Sequence, residues 1–320
     1  MRTREQGNIS TKICLEKLML VCVLIFLQAT SYQLQATSFK LQAKTNCAGD
    51  AYKYIKEMAK IGVRYPGSKG QIEFKNYLLK ELQKYNKKSY IQKFDQTVYN
   101  KAFSFFNLIS VFEPKIKTNK KGLIFCTHWD SRPWADNDPD PKNHKKPIIG
   151  ANDGLSGTAL LMSLIKNIDK IKFNRKIAFV FFDGEDMGKD GENWVLGSTY
   201  FAETFDFKDY EFGILIDMVG EENLNIYREQ FSEMYAKKYN DYVFNKARAL
   251  KLKAFFNYTK HSVIDDHVPM LKKGFPCIDL IDFDYEYWHT MADTIDKISV
   301  KSLWEISHLI VSIIEDEIKP

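Results

Sequence analysis

Cysteine is scarce in this chain: five in 320 residues, widely spaced, with no Cys-x-x-Cys pair. That excludes a disulfide framework and a thiolate zinc knuckle. Also absent are His-Glu-x-x-His, a Walker phosphate loop, Gly-x-Gly-x-x-Gly and the Gly-x-Ser-x-Gly elbow of a serine hydrolase. Charge of one sign does not dominate either. The net +5 comes from 46 basic and 41 acidic residues scattered throughout, with no basic stripe, so nucleic acid is not an expected partner. The lysine-rich run Lys84 to Lys93 reads as the solvated face of a helix and the turn after it.

The N-terminus differs from the rest. Arg2, Arg4, Lys12 and Lys17 precede the apolar run Leu18 to Leu27, and Ala29, Thr30 and Ser31 follow it. A basic lead, a short apolar segment and a small-residue exit describe a secretory signal peptide, and the run is too short to span a membrane. Residues 1–35 are therefore read as signal peptide and exit segment, and 36–320 as the mature domain. The expected protein is exported, periplasmic or secreted, with no integral membrane span after signal removal. Its remaining cysteines are Cys47, Cys126 and Cys277, of which the last two lie in apolar strand-like runs and read as buried, inert thiols.

With 45% hydrophobic and 14% aromatic residues the chain can build one large core. Its organising stretch is Lys176 to Asp186, KIAFVFFDGED: an apolar strand buried on both faces that stops at three carboxylates in four positions, Asp183, Glu185 and Asp186. Adjacent like charges are costly unless a cation lies among them, which points to a metal ion. Other apolar runs end in the same manner. Gly122 to Cys126 leads to His128 and Asp130, and Phe212 to Ile216 ends in Asp217. Pro276 to Ile281 leads through an aromatic loop to Trp288 and His289. Asp153 sits in GANDGLSG at a helix start, and Asp265 in the polar loop His261 to Pro269. A solvated acidic turn, an N-cap aspartate and a satisfied structural histidine account for these pieces one at a time.

Helical periodicity is expected at Gly49–Ile61, Gln71–Tyr85, Thr158–Ile168, Ser198–Glu203, Glu229–Leu250 and Ser299–Ile318, the last with Ser299 as N-cap. Strands alternating with helices imply a single α/β domain on a mixed, mainly parallel twisted sheet with helices on both faces. Ligands in such sheets bind beyond the carboxyl ends of the strands. That rule gathers His128, Asp153, Glu185, Asp186, Asp217, Asp265 and His289 at one rim. Carboxylates with imidazole and no thiolate are the donor set of a catalytic zinc site.

HWDSRPWADND (His128 to Asp138), GANDGLSG, FFDGED, LIDMVG (Leu215 to Gly220), DDHVP and YWHTMADT (Tyr287 to Thr294) together resemble the glutaminyl-peptide cyclotransferases, or glutaminyl cyclases, most closely their bacterial zinc-dependent branch. The resemblance runs from about Asp50 to the end. It implies the zinc aminopeptidase-like fold of the M28 class, with Asp153, Asp186 and His289 as ligands of one zinc. It implies Glu185 as general acid/base, Asp217 and Asp265 as carboxylates hydrogen-bonding around the reacting amide, and Trp288 and Trp194 as pocket walls. Asp186 stands where the animal enzymes carry Glu, a trait shared with the bacterial branch. The implied substrates are peptides or proteins with N-terminal Gln, converted to pyroglutamyl peptides with release of ammonia. The alternative on the same fold is a dinuclear zinc aminopeptidase, in which His128 and Asp217 bind a second ion; otherwise His128 and Asp130 support the first. A third reading is a secreted peptide-binding homologue without activity, against which the presence of Glu185 argues.

Overall fold

The computed structural model describes residues 46–116 and 118–316; the signal-peptide segment lies outside them. Six strands form one sheet in the order β1-β2-β4-β3-β5-β8. Strands β3 (Gly122–His128), β4 (Ile177–Phe182), β5 (Tyr210–Asp217) and β8 (Cys277–Ile281) run parallel. Strand β1 (Tyr90–Val98) and β2 (Lys101–Phe112) form a hairpin at one edge, with β2 antiparallel to β4. Its two-residue turn puts Tyr99 and Asn100 at φ 49° and 60°, as a tight hairpin turn requires.

Both faces of the parallel strands are covered, which is why they read as continuous apolar runs. Ile124, Cys126, Ala178, Val180, Phe182 and Leu215 pack on one face. They meet α4 (Leu196–Thr204) and α7 (His267–Lys272) through Phe201, Ala202 and Met270. The other face carries α3 (Leu155–Lys166), with α1 (Cys47–Ala59), α2 (Lys69–Tyr85) and α8 (Val300–Glu315) packed around it. Helix α3 is buried from Leu155 to Ile165 because it lies between sheet and outer helices. Helices α1 and α2 bury single stripes, Ala51, Ile55 and Met58 in one and Phe74, Leu78 and Leu82 in the other. Cys126 and Cys277 are fully buried, as their apolar neighbourhood implied.

The segment Glu229–Leu250 is not one helix. Glu229 ends β6 (Ile226–Glu229), and two helices, α5 (Gln230–Tyr235) and α6 (Lys237–Ala249), meet at Ala236, whose φ −131° and ψ 26° are not helical. The Glu229 carboxylate caps α5 by accepting from Phe231 N and Ser232 N. Parallel to β6 runs β7 (Phe255–His261), whose largely exposed Asn257, Thr259 and Lys260 gave no strand-like alternation. Ser299 occupies the N-cap position of α8, but its side chain makes no capping bond. No helix among the described residues is long and apolar enough to cross a membrane.

Helix α3 reaches the sheet at Gly157. A Cβ there would come within 2.2 Å of Thr127 Oγ1 and 2.4 Å of Ile216 O. Gly157→Ala is therefore expected to lower the unfolding free energy by about 2 kcal/mol or more, as overpacking of a rigid core does. Denaturant unfolding followed by far-UV circular dichroism checks this, and an unshifted midpoint would contradict it.

Candidate active site

The parallel strands deliver their last residues to one rim. His128 closes β3, Asp217 closes β5, and Asp183 to Asp186 follow β4. Gly184, at φ 76°, turns the chain so that the three carboxylates part company. Asp183 points back into the fold, where its Oδ2 accepts from Phe106 N at 2.9 Å and Gln71 Nε2 at 2.8 Å. Burial, then the charge of Asp130, raises it well above the usual carboxylate range. Glu185 and Asp186 face the site instead. The Asp130 carboxylate fixes their turn, accepting from Glu185 N at 3.1 Å and Asp186 N at 3.2 Å.

Asp153 and Asp186 face each other across the rim. Asp153 Oδ1 lies 3.1 Å from His128 Nε2, and Asp153 Oδ2 lies 3.6 Å from His289 Nε2. His289 Nε2 also lies 3.1 Å from Asp186 Oδ1. Two carboxylate oxygens, Asp153 Oδ2 and Asp186 Oδ2, are buried without a hydrogen-bond partner, which a bound cation would supply. The ligand atoms of His128, Asp153 and Asp186 all fall within 4.8 Å of one another, a set that holds His128 where His289 was the expected third ligand. His289 is the imidazole at the pocket, whereas His128 is fully buried, with Nε2 3.0 Å from Asp217 Oδ1 and Nδ1 3.4 Å from Asp130 Oδ1.

The electrostatics follow from this crowding. Burial would raise Asp186, but the His289 and His128 imidazoles and Arg132 outweigh it and hold the group at about 2. Asp153 is pushed up to about 6, first by burial and then by the charge of Asp186. Burial would depress His128, yet Asp217, Asp130 and Asp153 raise it well above the ordinary imidazole range. Glu185 is raised well above its ordinary range by burial and by Asp186. Asp265 is raised likewise, by burial and then Asp217 and Asp266.

These residues line a pocket of about 550 Å³. Its polar floor includes Glu185, Asp217 and Asp265, and its walls include Trp194, Phe283, Trp288 and Ile281. Two indoles flank the His289 imidazole. The Trp194 ring is nearly parallel to that of His289 at 6.2 Å, and Trp288 lies 4.0 Å from it at 33°. Trp194 rests on Gly188, where a Cβ would fall 1.9 Å from the indole, and the Arg132 guanidinium sits 4.7 Å from its ring centroid. Val195 and His289 both have φ in the left-handed region, 53° and 57°, an uncommon backbone state that gathers here at the pocket.

Several site residues escaped sequence reasoning. Arg64 is buried and donates to the carbonyls of Trp129, Ile149, Gly150 and Asp153, holding the Asp153 loop from below. Asp293 accepts from Asn152 N at 2.8 Å, Asp153 N at 3.1 Å and the Tyr285 hydroxyl at 2.8 Å. Arg132 donates to the carbonyls of Asp186 and Gly188, each at 3.1 Å, and pairs with Asp136. Arg132 and Asp293 lie inside motifs already noted, but their roles had no local signal. The polar loop His261 to Pro269 is also less loop-like than expected: His267 begins α7 and its Nε2 meets Glu229 Oε2 at 3.0 Å. The same Glu229 accepts from Val263 N at 3.2 Å, tethering the pocket loop that carries Asp265.

The fold and the donor set at its rim are those of the zinc exopeptidase-like α/β class, with a candidate metal site. Residues 107–314 match the profile of Peptidase family M28, and the chain belongs to that family. Its relatives include glutaminyl-peptide cyclotransferases and an aminopeptidase of Bacillus subtilis. The chain is 34% identical to Tannerella forsythia glutaminyl cyclase, whose crystal structure superimposes with a TM-score of 0.78, covering 84% of this chain and 98% of that one. A Zn-dependent exopeptidase from Parabacteroides distasonis is 31% identical, with the same TM-score of 0.78 and coverages of 84% and 98%. The glutaminyl-peptide cyclotransferase of Gloydius blomhoffii is 24% identical over 290 residues, 78% of this chain and 76% of that protein. The single α/β domain and the family expected from the motifs are thus both found.

Proposed function

We propose that the chain is a zinc-dependent glutaminyl-peptide cyclotransferase, exported to the periplasm or beyond, that converts N-terminal Gln of peptides to pyroglutamate. The observation that carries this reading over the aminopeptidase is the 34% identity to Tannerella forsythia glutaminyl cyclase across 84% of this chain, together with the aromatic walls Trp194, Phe283 and Trp288 around the pocket. One ion on Asp153, Asp186 and His289 fits the donor set and the orphaned carboxylate oxygens. Zinc held there by Asp153, Asp186 and His289 would supply Lewis-acid polarisation of the γ-carbonyl of the substrate Gln.

The side chains do the rest. Trp194, Trp288 and Phe283 enclose an uncharged carboxamide side chain and exclude water from it. Glu185, whose burial increases its hold on a proton, takes one from the α-ammonium group. The freed amine attacks the γ-carbonyl carbon, forming the ring C–N bond. Glu185 then returns the proton to the departing amide nitrogen as the original bond from the γ-carbon to that nitrogen breaks; ammonia leaves, and the second proton of the attacking nitrogen passes to solvent. Asp265, whose burial and neighbouring Asp217 and Asp266 raise its hold on a proton, faces the pocket floor together with Asp217, where both can hydrogen-bond the reacting amide. Asp130 and His128 hold this arrangement from behind.

The direct test pairs zinc per chain with product analysis on protein purified without added metal. About one zinc with ammonia and pyroglutamate from a Gln-initiated peptide is expected. Two metals with free amino acid and no pyroglutamate would establish the aminopeptidase instead.

A further inference from the structure

A second concavity of about 390 Å³ lies beside the catalytic pocket. Its lining includes Tyr65, Tyr99, Phe103, Trp134, Lys101 and Lys145. The two cavities share a wall, the loop from Met187 to Trp194. Tyr99 lines the outer groove, and its hydroxyl donates to Met187 O at 3.1 Å and reaches the side chain of Asn193, which lines the catalytic pocket. Arg132 joins the walls independently. Its Cζ lies 4.7 Å from the Trp194 ring centroid and 5.5 Å from that of Trp134, so the two indoles lie within about 10 Å of each other. An extended peptide advances roughly 3.3 Å per residue and covers that span in about three residues.

We propose that this groove holds the downstream part of the substrate peptide, near its fourth and fifth residues, and favours an acidic followed by an aromatic side chain there. The proposal rests on the cyclotransferase reading for the direction in which the peptide leaves the catalytic pocket. Trp134 and Tyr99, whose rings meet edge-on at 6.3 Å, offer partly exposed aromatic surface for stacking. The charge at the rim is positive. Lys101, Lys145 and Lys189, the last with Nζ 5.8 Å from the Trp134 centroid, have no ion-pair partner among the described residues. Asp190 and Glu192 of the dividing loop act on Tyr99 but pair with none of these lysines. A dipeptide cannot reach the groove, whereas a hexapeptide can.

The test compares kcat/KM for Gln-Ala with that for Gln-Ala-Ala-Asp-Phe-Ala and for Gln-Ala-Ala-Lys-Phe-Ala, in the native protein and in Trp134→Ala and Lys145→Glu. The acidic hexapeptide should exceed the dipeptide roughly tenfold, through KM rather than kcat. That ratio should fall to about one in Trp134→Ala, and in Lys145→Glu the preference between the two hexapeptides should shrink or reverse. Equal values for all three peptides, or ratios unchanged in both variants, would overturn the groove. A calorimetric titration with acetyl-Ala-Ala-Asp-Phe-Ala separates this from the cyclase assignment. Loss of turnover with every Gln peptide would strike the proposed reaction alone, if that probe still binds in a Trp134-dependent way. Absence of binding would strike the groove.

Discussion

Glu185→Gln is expected to retain bound zinc at the native level and to lose turnover of a Gln-initiated peptide by about two orders of magnitude or more, the usual cost of a missing general base. The substitution is nearly isosteric and removes only the capacity to carry a proton. Its turn is held by the backbone N–H groups of Glu185 and Asp186 on Asp130, so the side-chain change leaves Asp186 in place. Zinc content by atomic absorption and kcat by ammonia release are the two readouts. A kcat within a few-fold of native would remove Glu185 from the reaction, whereas loss of zinc would mean that the turn, not the proton, had been disturbed.

Asp153→Ala is expected to abolish both zinc and activity, and to remove the response of thermal stability to chelators. A metal that binds only the folded state stabilises it by roughly 4 kcal/mol when free metal exceeds Kd about a thousandfold. The native protein should therefore unfold at a lower temperature after chelation, and the variant at the same temperature with and without chelator. A second sign can be worked out for the metal-free native chain. Folded Asp153 holds its proton up to about 6, and the unfolded side chain to about 3.9. Unfolding thus releases a proton between those values, so stability of the metal-free chain falls as pH rises from about 4 to 6. Asp153→Ala should flatten that part of the profile. A zinc-loaded Asp153→Ala protein would remove this residue from the ligand set.

Much of this architecture could be read from the chain because the parallel strands are buried on both faces and each ends abruptly. The run Ile177 to Phe182 followed by carboxylates is found as strand β4 and its rim. What the sequence could not resolve is orientation. Asp183, Glu185 and Asp186 look alike in a list, and only the left-handed Gly184 and the donors Phe106 N and Gln71 Nε2 turn Asp183 away. Arg64 is illegible for another reason: its carbonyl partners Trp129 to Asp153 lie far along the chain, and an arginine in a Pro-Gly loop looks like a surface residue. The break at Ala236 was hidden because the apolar spacing of Glu229–Leu250 continues across it, while Arg228, Glu233 and Asn240 form the elbow through polar contacts. Strand β7 was missed because its pairing with β6 needs no apolar face.

The clasp of Asp293 on the Asn152–Asp153 backbone has a consequence for biogenesis. Asp153, one half of the proposed metal cradle, has its backbone held by a carboxylate 140 residues further on. His289 comes from the same late segment. A chain emerging in order, whether from a ribosome or through a translocation pore, thus carries no competent cradle until its final helix is being delivered. The proposed ion would therefore bind after the C-terminal segment has docked and would not seed the assembly of the rim.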